Sequence, residues 1–343
     1  MHRDLPLTAP APAGLSAPEA VRVQAPGRLH LGFLDPAGSL GRRFGSLGLV
    51  IDGFSTTLTL RRAPADRSSA ADPAGEAELP RARRHLEALR AATGQTDPLH
   101  LHIARALPAH AGFGSGTQLG LAVGRAFAAL HDLPLPTAEI ARLTGRGLRS
   151  GVGIAGFDQG GLLLDGGPGA DGAPAPVLAR LVLPEAWRVL VVLDRRADGL
   201  HGDAERAALA RLAPLPRASA AEICHEVLMR VLAGAASAEF EPFARGLSRV
   251  QEVLGGHFAP VQRAGAFASP AVGRLIGWIG RHTLAGTGQS SWGPTGFAVL
   301  PSEAVASEVV EAARRAGQLD ADLALRVVTA RAQGATLTFD PAA

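Results

Sequence analysis

The segment from Leu107 to Leu130 constrains this chain most. A short alternating stretch runs into Pro108-Ala109-His110-Ala111-Gly112-Phe113-Gly114-Ser115-Gly116-Thr117-Gln118 and then into an apolar run. Gly112, Gly114 and Gly116 lack the Cβ atoms that would hold the backbone away from a ligand, and they permit positive φ at a sharp turn. Leu119, Val123, Phe127 and Leu130 recur at helical spacing, which places the glycine turn at a helix N-terminus. Unpaired N–H groups and the positive end of the helix dipole converge there, so the segment reads as an anion cradle.

Two familiar phosphate motifs are excluded. The lysine-bearing loop needs Gly-Lys-Ser/Thr, and the chain contains no lysine. The dinucleotide fingerprint needs a parallel βαβ unit with an acidic residue at the right distance, and none follows. Without lysine there is no protein Schiff base, and arginine is the only strong side-chain cation for a phosphate or carboxylate. A formal charge of +3 over 343 residues gives no reason to expect a nucleic-acid partner. The single cysteine, Cys224, allows no internal disulfide and fits a reducing cytoplasm. Residues 1–20 are rich in proline and alanine and lack a continuous apolar core, so they read as a mobile tail and not as a signal or membrane anchor.

Hydrophobic content of 47% supports a large core, and the length favours two lobes. Alternating residues predict strands over 21–35, 46–51, 56–62 and 99–103, with a polar loop over 66–78 and a helix over 79–92. A glycine-rich tract over 146–161 and a loose stretch over 166–176 close a first lobe, taken as 21–184. The second lobe, 185–343, opens on a strand at 188–193. Helical patterns follow around 220–232, 240–254, 271–281 and 302–316, a glycine-rich turn at 286–296, and strands at 297–300, 325–329 and 335–339. Blocks of helices and antiparallel-looking strands point to an α+β fold.

Three further clusters are candidate chemistry. Arg28, His30 and Asp35 precede Gly41-Arg42-Arg43-Phe44-Gly45, where paired arginines offer a fork for phosphate or carboxylate and Asp35 has the chemistry to orient an arginine or hold a metal. Arg149-Ser150-Gly151-Val152-Gly153 leads to Asp158, a candidate base, metal ligand or electrostatic stabiliser. Gly288-Gln289-Ser290-Ser291-Trp292-Gly293 sets an aromatic face among small polar residues, which suits an aromatic or sugar ring. His110 lies inside the anion loop, within reach of a phosphate or a leaving group.

Strand, Pro108-x-x-x-Gly112-Phe113-Gly114-Ser115 and buried helix resemble the second motif of the GHMP kinase superfamily. The resemblance implies a two-lobed α+β fold that binds phosphates at this loop. Where such kinases usually read Gly-Leu-Gly-Ser-Ser, this chain has Gly114-Ser115-Gly116-Thr117-Gln118, and its third motif, 288–293, is not a run of glycines. With the motifs at 28–32, 41–45 and 149–153, those variants resemble the β-ribofuranosylaminobenzene 5′-phosphate synthase family from about Val21 onward.

That resemblance implies a pentosyltransferase joining 4-aminobenzoate, or 4-hydroxybenzoate, to phosphoribosyl diphosphate with loss of CO2 and diphosphate, in methanopterin-type cofactor biosynthesis. It implies Mg2+ at the glycine loop with Ser115 and Thr117 as metal contacts, no organic cofactor, and a cytoplasmic homodimer. On this reading Arg28, Arg42 and Arg43 hold the 5′-phosphate or the benzoate, Asp35 orients Arg42, and Asp158 stabilises positive charge or positions the metal. Gln289 and Trp292 form the benzoate wall, with His30, His110, Gln118, Arg149, Ser150, Ser290 and Ser291 completing the substrate contacts. The alternatives are an ATP-dependent small-molecule kinase and a non-catalytic phosphosugar sensor on the same fold.

Overall fold

A computed structural model describes residues 5–6, 18–170, 172–197, 199, 207–208, 210–262, 265–291 and 293–340. Two long strands dominate the first half: β2 (Ala20–Asp35), preceded by the two-residue β1 (Leu5–Pro6), and β3 (Phe44–Arg62). They pair antiparallel along nearly their whole length, with register shifts at Pro26/Arg28 and His30/Gly32. The second shift falls where Gly32 takes φ of 133°, a conformation a side chain resists. The sequence pattern splits β3 into two strands, because Asp52 and Gly53 interrupt the apolar alternation. The backbone runs through them, since Gly53 supplies the positive φ required there.

β4 (Arg67–Ala70) and β5 (Leu99–Arg105) extend one side of β3, while β6 (Leu162–Asp165) and β7 (Val177–Leu181) extend another stretch of it. Helix α1 (Pro73–Thr93) starts six residues earlier than the periodicity indicates, because Asp72 accepts a hydrogen bond from Gly75 N at 2.7 Å and caps it. Helices α2 (Ser115–Leu130), α3 (Thr137–Leu143) and α4 (Val152–Gln159) complete the helical layer of this half. α2 is buried almost all round, as its continuous apolar character requires. Its Leu119, Val123 and Phe127 pack with Val23, Leu58, Leu60 and Leu101 of the sheet.

The second sheet is antiparallel, ordered β11 (Leu323–Val328), β8 (Arg188–Asp194), β10 (Thr295–Leu300) and β9 (Gly286–Gln289). One face packs on α7 (Pro270–His282) and α8 (Glu303–Arg315) through Leu190, Val192, Leu275 and Ile276. The other turns Val189, Val191, Phe297 and Val299 toward α6 (Phe240–Phe258) and α5 (Arg217–Glu226), which continues as a π-helical turn over Val227–Leu232. The same core takes in Leu29, Leu47 and Leu49 of the first sheet, so one apolar body joins the lobes.

Two features depart from the expected lobe division. The last strand, β12 (Thr336–Asp340), leaves the second lobe and pairs with Ala20–Gln24 of β2. Leu5 and Pro6, inside the expected tail, pair with Leu337 and Thr336; most of the remaining tail lies outside the described residues. No helix among the described residues is long and apolar enough to cross a membrane.

Candidate active site

The glycine loop is clamped from two sides. Arg28 donates from Nη1 to Gly112 O at 2.9 Å, and its backbone N donates to Phe113 O at 3.1 Å. Ser290 Oγ donates to the same Gly112 carbonyl at 2.7 Å while accepting from His30 N at 2.9 Å, and Thr295 Oγ1 donates to Ala111 O. Phe113 is fully buried and stacks on Phe54 with ring centroids 4.5 Å apart. Gly112 and Gly114 both hold positive φ, as does His110 at 54°. A Cβ on Gly114 would stand 3.0 Å from Arg28 Cζ. Glycine is therefore demanded by backbone conformation and close approach together; Thr117 N and Gln118 N donate back to Gly114 O, each at 3.0 Å, which leaves the Ser115 and Gly116 amides of the first turn of α2 for an anion.

Gln118 is turned inward: 1% exposed, it donates from Nε2 to Gly153 O at 2.9 Å, so it ties α2 to α4. Ser115 is nearly buried and Thr117 packs against Gly153. Magnesium needs oxygen ligands that include carboxylates or substrate phosphates. Ser115 and Thr117 bring only neutral hydroxyls, and among the described residues no group of three His, Cys, Asp or Glu is placed to hold a metal. The chain's own donors at this loop do not fit a resident Mg2+ site.

Asp35, Arg42 and Arg43 form a second group at the far end of the β2–β3 hairpin. Seven residues of strand separate Asp35 from Arg28, about 20 Å of chain. Asp35 does not orient Arg42. Its carboxylate accepts from Gly38 N and Leu40 N, each at 2.9 Å, and from Ser39 Oγ at 3.1 Å. Burial raises its pKa, but those hydrogen bonds outweigh burial and hold it below the ordinary value. Arg42 instead donates to Pro168 O at 3.2 Å, and Arg43 lies over the Phe44 ring at 5.1 Å. Both arginines are exposed.

The acid that organises the 149–153 loop is Asp165, which the sequence reading passed over. It is 1% exposed and accepts from Gly151 N at 2.7 Å, Val152 N at 3.1 Å, Ser150 Oγ at 3.2 Å and Gly167 N at 2.8 Å. Burial raises its pKa against these bonds. Arg149 flanks this loop, and Ser150 is committed to holding its shape. A strand-terminal aspartate followed by two glycines was the available signal.

Asp158 stands apart from the loop. Its Oδ1 accepts from Thr137 Oγ1 at 2.6 Å, and Thr137 in turn accepts from Arg125 Nη2 at 2.7 Å. Arg125 is ten residues into α2, about 15 Å along the axis from the first turn. Burial raises the pKa of Asp158, opposed by Thr137 and Arg125. The geometry makes it a brace between α2, α3 and α4. Asp158→Asn is accordingly expected to leave kcat within about threefold of the parent, less than ~1 kcal/mol of barrier; steady-state assay checks this, and a loss of several hundredfold would restore a direct role.

Beside the clamp lies a cavity of about 560 Å³, lined by His30 and Phe33 of β2, Gln251 and Leu254 of α6, Gln289 at the end of β9 and Ser291 just after it. Phe258, Phe267 and Ile276 make much of the remaining wall apolar, with Glu252 and Arg281 also on the lining. Gln289 has its polar atoms engaged: Oε1 accepts from Ala268 N at 2.6 Å, and Nε2 donates to Ser291 O at 2.9 Å and Gln262 Oε1 at 3.2 Å. Gln251 is likewise committed to Leu31 O and Gln289 N. His30 is 3% exposed with Nε2 buried and without a hydrogen-bond partner. Burial, then the neighbouring Arg28 charge, push its pKa down to about 3, so the ring is neutral at physiological pH. Trp292, the other expected wall residue, lies outside the described residues.

The two-layered halves and the clamped loop between them define the GHMP kinase class of fold. Residues 81–165 match the GHMP kinases N terminal domain, and residues 233–319 match GHMP kinases C terminal. The solved homoserine kinase of Cytophaga hutchinsonii superposes with a TM-score of 0.68 at 16% identity, covering 95% of this chain and 100% of its own. The phosphomevalonate kinase of Streptococcus pneumoniae gives 0.66 at 14%, covering 90% and 99%. Sequence relatives are nearer. The chain is 34% identical over 305 residues to the β-ribofuranosylphenol 5′-phosphate synthase of Archaeoglobus fulgidus (83% of this chain, 89% of that protein), and 30% identical over 302 residues to that of Methanocaldococcus jannaschii (80% and 88%). The chain belongs to the β-ribofuranosylphenol 5′-phosphate synthase family.

Proposed function

We propose that this protein is a decarboxylating pentosyltransferase that joins an aromatic acid to phosphoribosyl diphosphate. The observation that carries the reading is the adjacency of two unlike sites. An amide-lined anion loop and an aromatic-sized apolar cavity share the Ser290-Ser291 segment and His30, since Ser290 holds Gly112 while Ser291 and His30 line the cavity. The apolar part of that wall, with Phe33, Leu254, Phe258 and Phe267, suits an aromatic ring better than a polar alcohol.

The donor lays its phosphates on the first turn of α2, and the aromatic acid enters the cavity with its ring against Phe33, Leu254 and the amide plane of Gln289. The ring carbon bearing the carboxylate attacks the anomeric carbon; the bond to the diphosphate oxygen breaks and takes its electron pair with it. The carboxyl–ring bond then releases CO2 and returns its electrons to the ring, restoring aromaticity. A para amino or hydroxyl group supplies electron density, which is why no organic cofactor is needed. The loop's fixed N–H donors stabilise charge that develops on the leaving group, and the apolar wall withholds water from a carboxylate about to be lost. Mg2+ enters this reading as the companion of the diphosphate donor, bound by substrate oxygens. Homodimerisation and a cytoplasmic setting belong to the same reading, the latter supported by the lone, half-buried Cys224.

Purified protein with Mg2+, phosphoribosyl diphosphate and carboxyl-labelled 4-aminobenzoate or 4-hydroxybenzoate should release labelled CO2 and diphosphate in equal amounts, each dependent on both substrates. Folded protein that releases neither, and instead forms ADP from ATP and an alcohol, would overturn the reading.

A further inference from the structure

A cluster of cations flanks the first turn of α2 at Gly116, as Arg28 does at Gly114. Arg81 and Arg84 come from α1, three residues apart and so on one face of it, and Arg146 from the loop after α3. Arg146 Nη1 lies 3.2 Å, and Arg81 Nη1 3.6 Å, from the point where a Cβ on Gly116 would stand. Gly116 is thus the small residue that lets both guanidiniums come up against the helix start. Arg146 Nη2 sits 3.4 Å from His85 Nε2, and Arg146 Nε is buried without a hydrogen-bond partner. Glu78 pairs with Arg81 at 3.1 Å and offsets one charge of the three. His85 does not add a fourth: burial first, then Arg146, Arg81 and Arg84, push it down to about 4.

Like charges packed this closely repel, and Arg146 is itself destabilised as a cation by burial and by Arg81. A multiply charged anion relieves that repulsion, and guanidinium forks match phosphate oxygens in pairs. The Ser115 and Gly116 amides at the start of the same helix point to the same ligand class. A monoanionic aromatic acid would compensate only one of the two remaining charges, whereas a diphosphate compensates both.

We propose that Arg81, Arg84 and Arg146, with the first-turn amides of α2, bind the diphosphate group of the sugar donor and stabilise it as it leaves. The proposal rests on the transferase reading above for its donor, but its central test does not need turnover. Inorganic diphosphate titrated calorimetrically into the parent protein should bind saturably, and Arg146→Gln should weaken that binding roughly 10- to 100-fold, the loss of one or two charged hydrogen bonds. The exposed Arg84→Gln, which leaves the packing intact, should weaken it several-fold. With one repelling charge removed, Arg146→Gln should melt no lower than the parent in the absence of ligand, yet lose the upward shift that diphosphate gives the parent.

Parent-like diphosphate affinity in Arg146→Gln and Arg84→Gln would overturn the cation site, as would a parent protein that does not bind diphosphate. Impaired diphosphate binding in the variants, with no labelled CO2 from the parent, would keep the site and overturn the transferase. Labelled CO2 release with an unchanged KM for phosphoribosyl diphosphate in both variants would do the reverse.

Discussion

Gly112→Ala should lower kcat/KM by at least about 100-fold while leaving a folded protein. At φ of 94° this position already disfavours any side chain. An added Cβ would stand 2.6 Å from Ser290 O and 3.1 Å from Ser290 Cβ, so the clamp on the Gly112 carbonyl must open. That carbonyl receives both Arg28 and Ser290. Moving it carries the following amides away from the anion, and a displacement of about 1 Å is enough for losses near 100-fold. Gly94→Ala is the matched control: it too has positive φ, at 75°, but nothing lies within 4 Å of its Cβ. It should cost about 1 kcal/mol of stability as a helix C-cap and leave kcat/KM untouched. Steady-state kinetics and thermal melts on the pair separate backbone strain from loop displacement; equal activities in the two variants would refute the clamp.

Stability should fall as pH drops from 6.5 toward 4, and His30→Leu should flatten that fall. His30 is neutral in the folded protein, its pKa depressed to about 3 from 6.5 by burial and then by Arg28. Below pH 6.5 the unfolded chain takes up a proton that the folded chain refuses, so the stabilisation is complete above pH 6.5 and drains away toward pH 3. Each unit in that window is worth up to ~1.4 kcal/mol. His85, at about 4, acts in the same direction. Asp35 and Asp194 carry depressed carboxylate values and lose their contribution only at more acid pH, below the ordinary carboxylate range. Denaturant titrations at pH 7 and pH 4.5 should show a difference smaller by about 2 kcal/mol in His30→Leu. An unchanged difference would mean that His30 titrates normally.

Local pattern carried much of the fold and the anion loop. α2, α6, α7 and α8 each bury one stripe or a whole surface that the sequence spells out in apolar spacing, and 110–118 contains enough glycine to advertise a turn. What stayed hidden depends on partners distant in sequence. β4 is a polar strand, Arg67-Ser68-Ser69-Ala70, whose strand form comes from parallel pairing with the distant β5. Asp35 and Asp158 looked alike as site acids, yet one ties down a turn and the other braces three helices. Asp165 ends an apolar strand, its only cue the two glycines that follow, and supports the loop for which Asp158 seemed the natural acid. Arg81 and Arg146 are 65 positions apart and look like ordinary surface arginines until α1 and the post-α3 loop converge on Gly116.

The return of β12 to β2 ties the order of synthesis to the order of folding. On the ribosome, β2 and β3 emerge early, but the edge of β2 that takes Thr336–Asp340 waits while the whole second sheet is made. Arg331, just before that strand, also donates from N to Val50 O and accepts from Gly161 N. Until those residues arrive, the nascent first half carries an uncovered sheet edge, the kind of surface that recruits chaperones or pairs with a neighbouring chain. Expressed alone, residues 21–184 would keep that edge permanently, so the smallest piece of this protein that stays soluble should be one that begins before β2 and runs through Asp340.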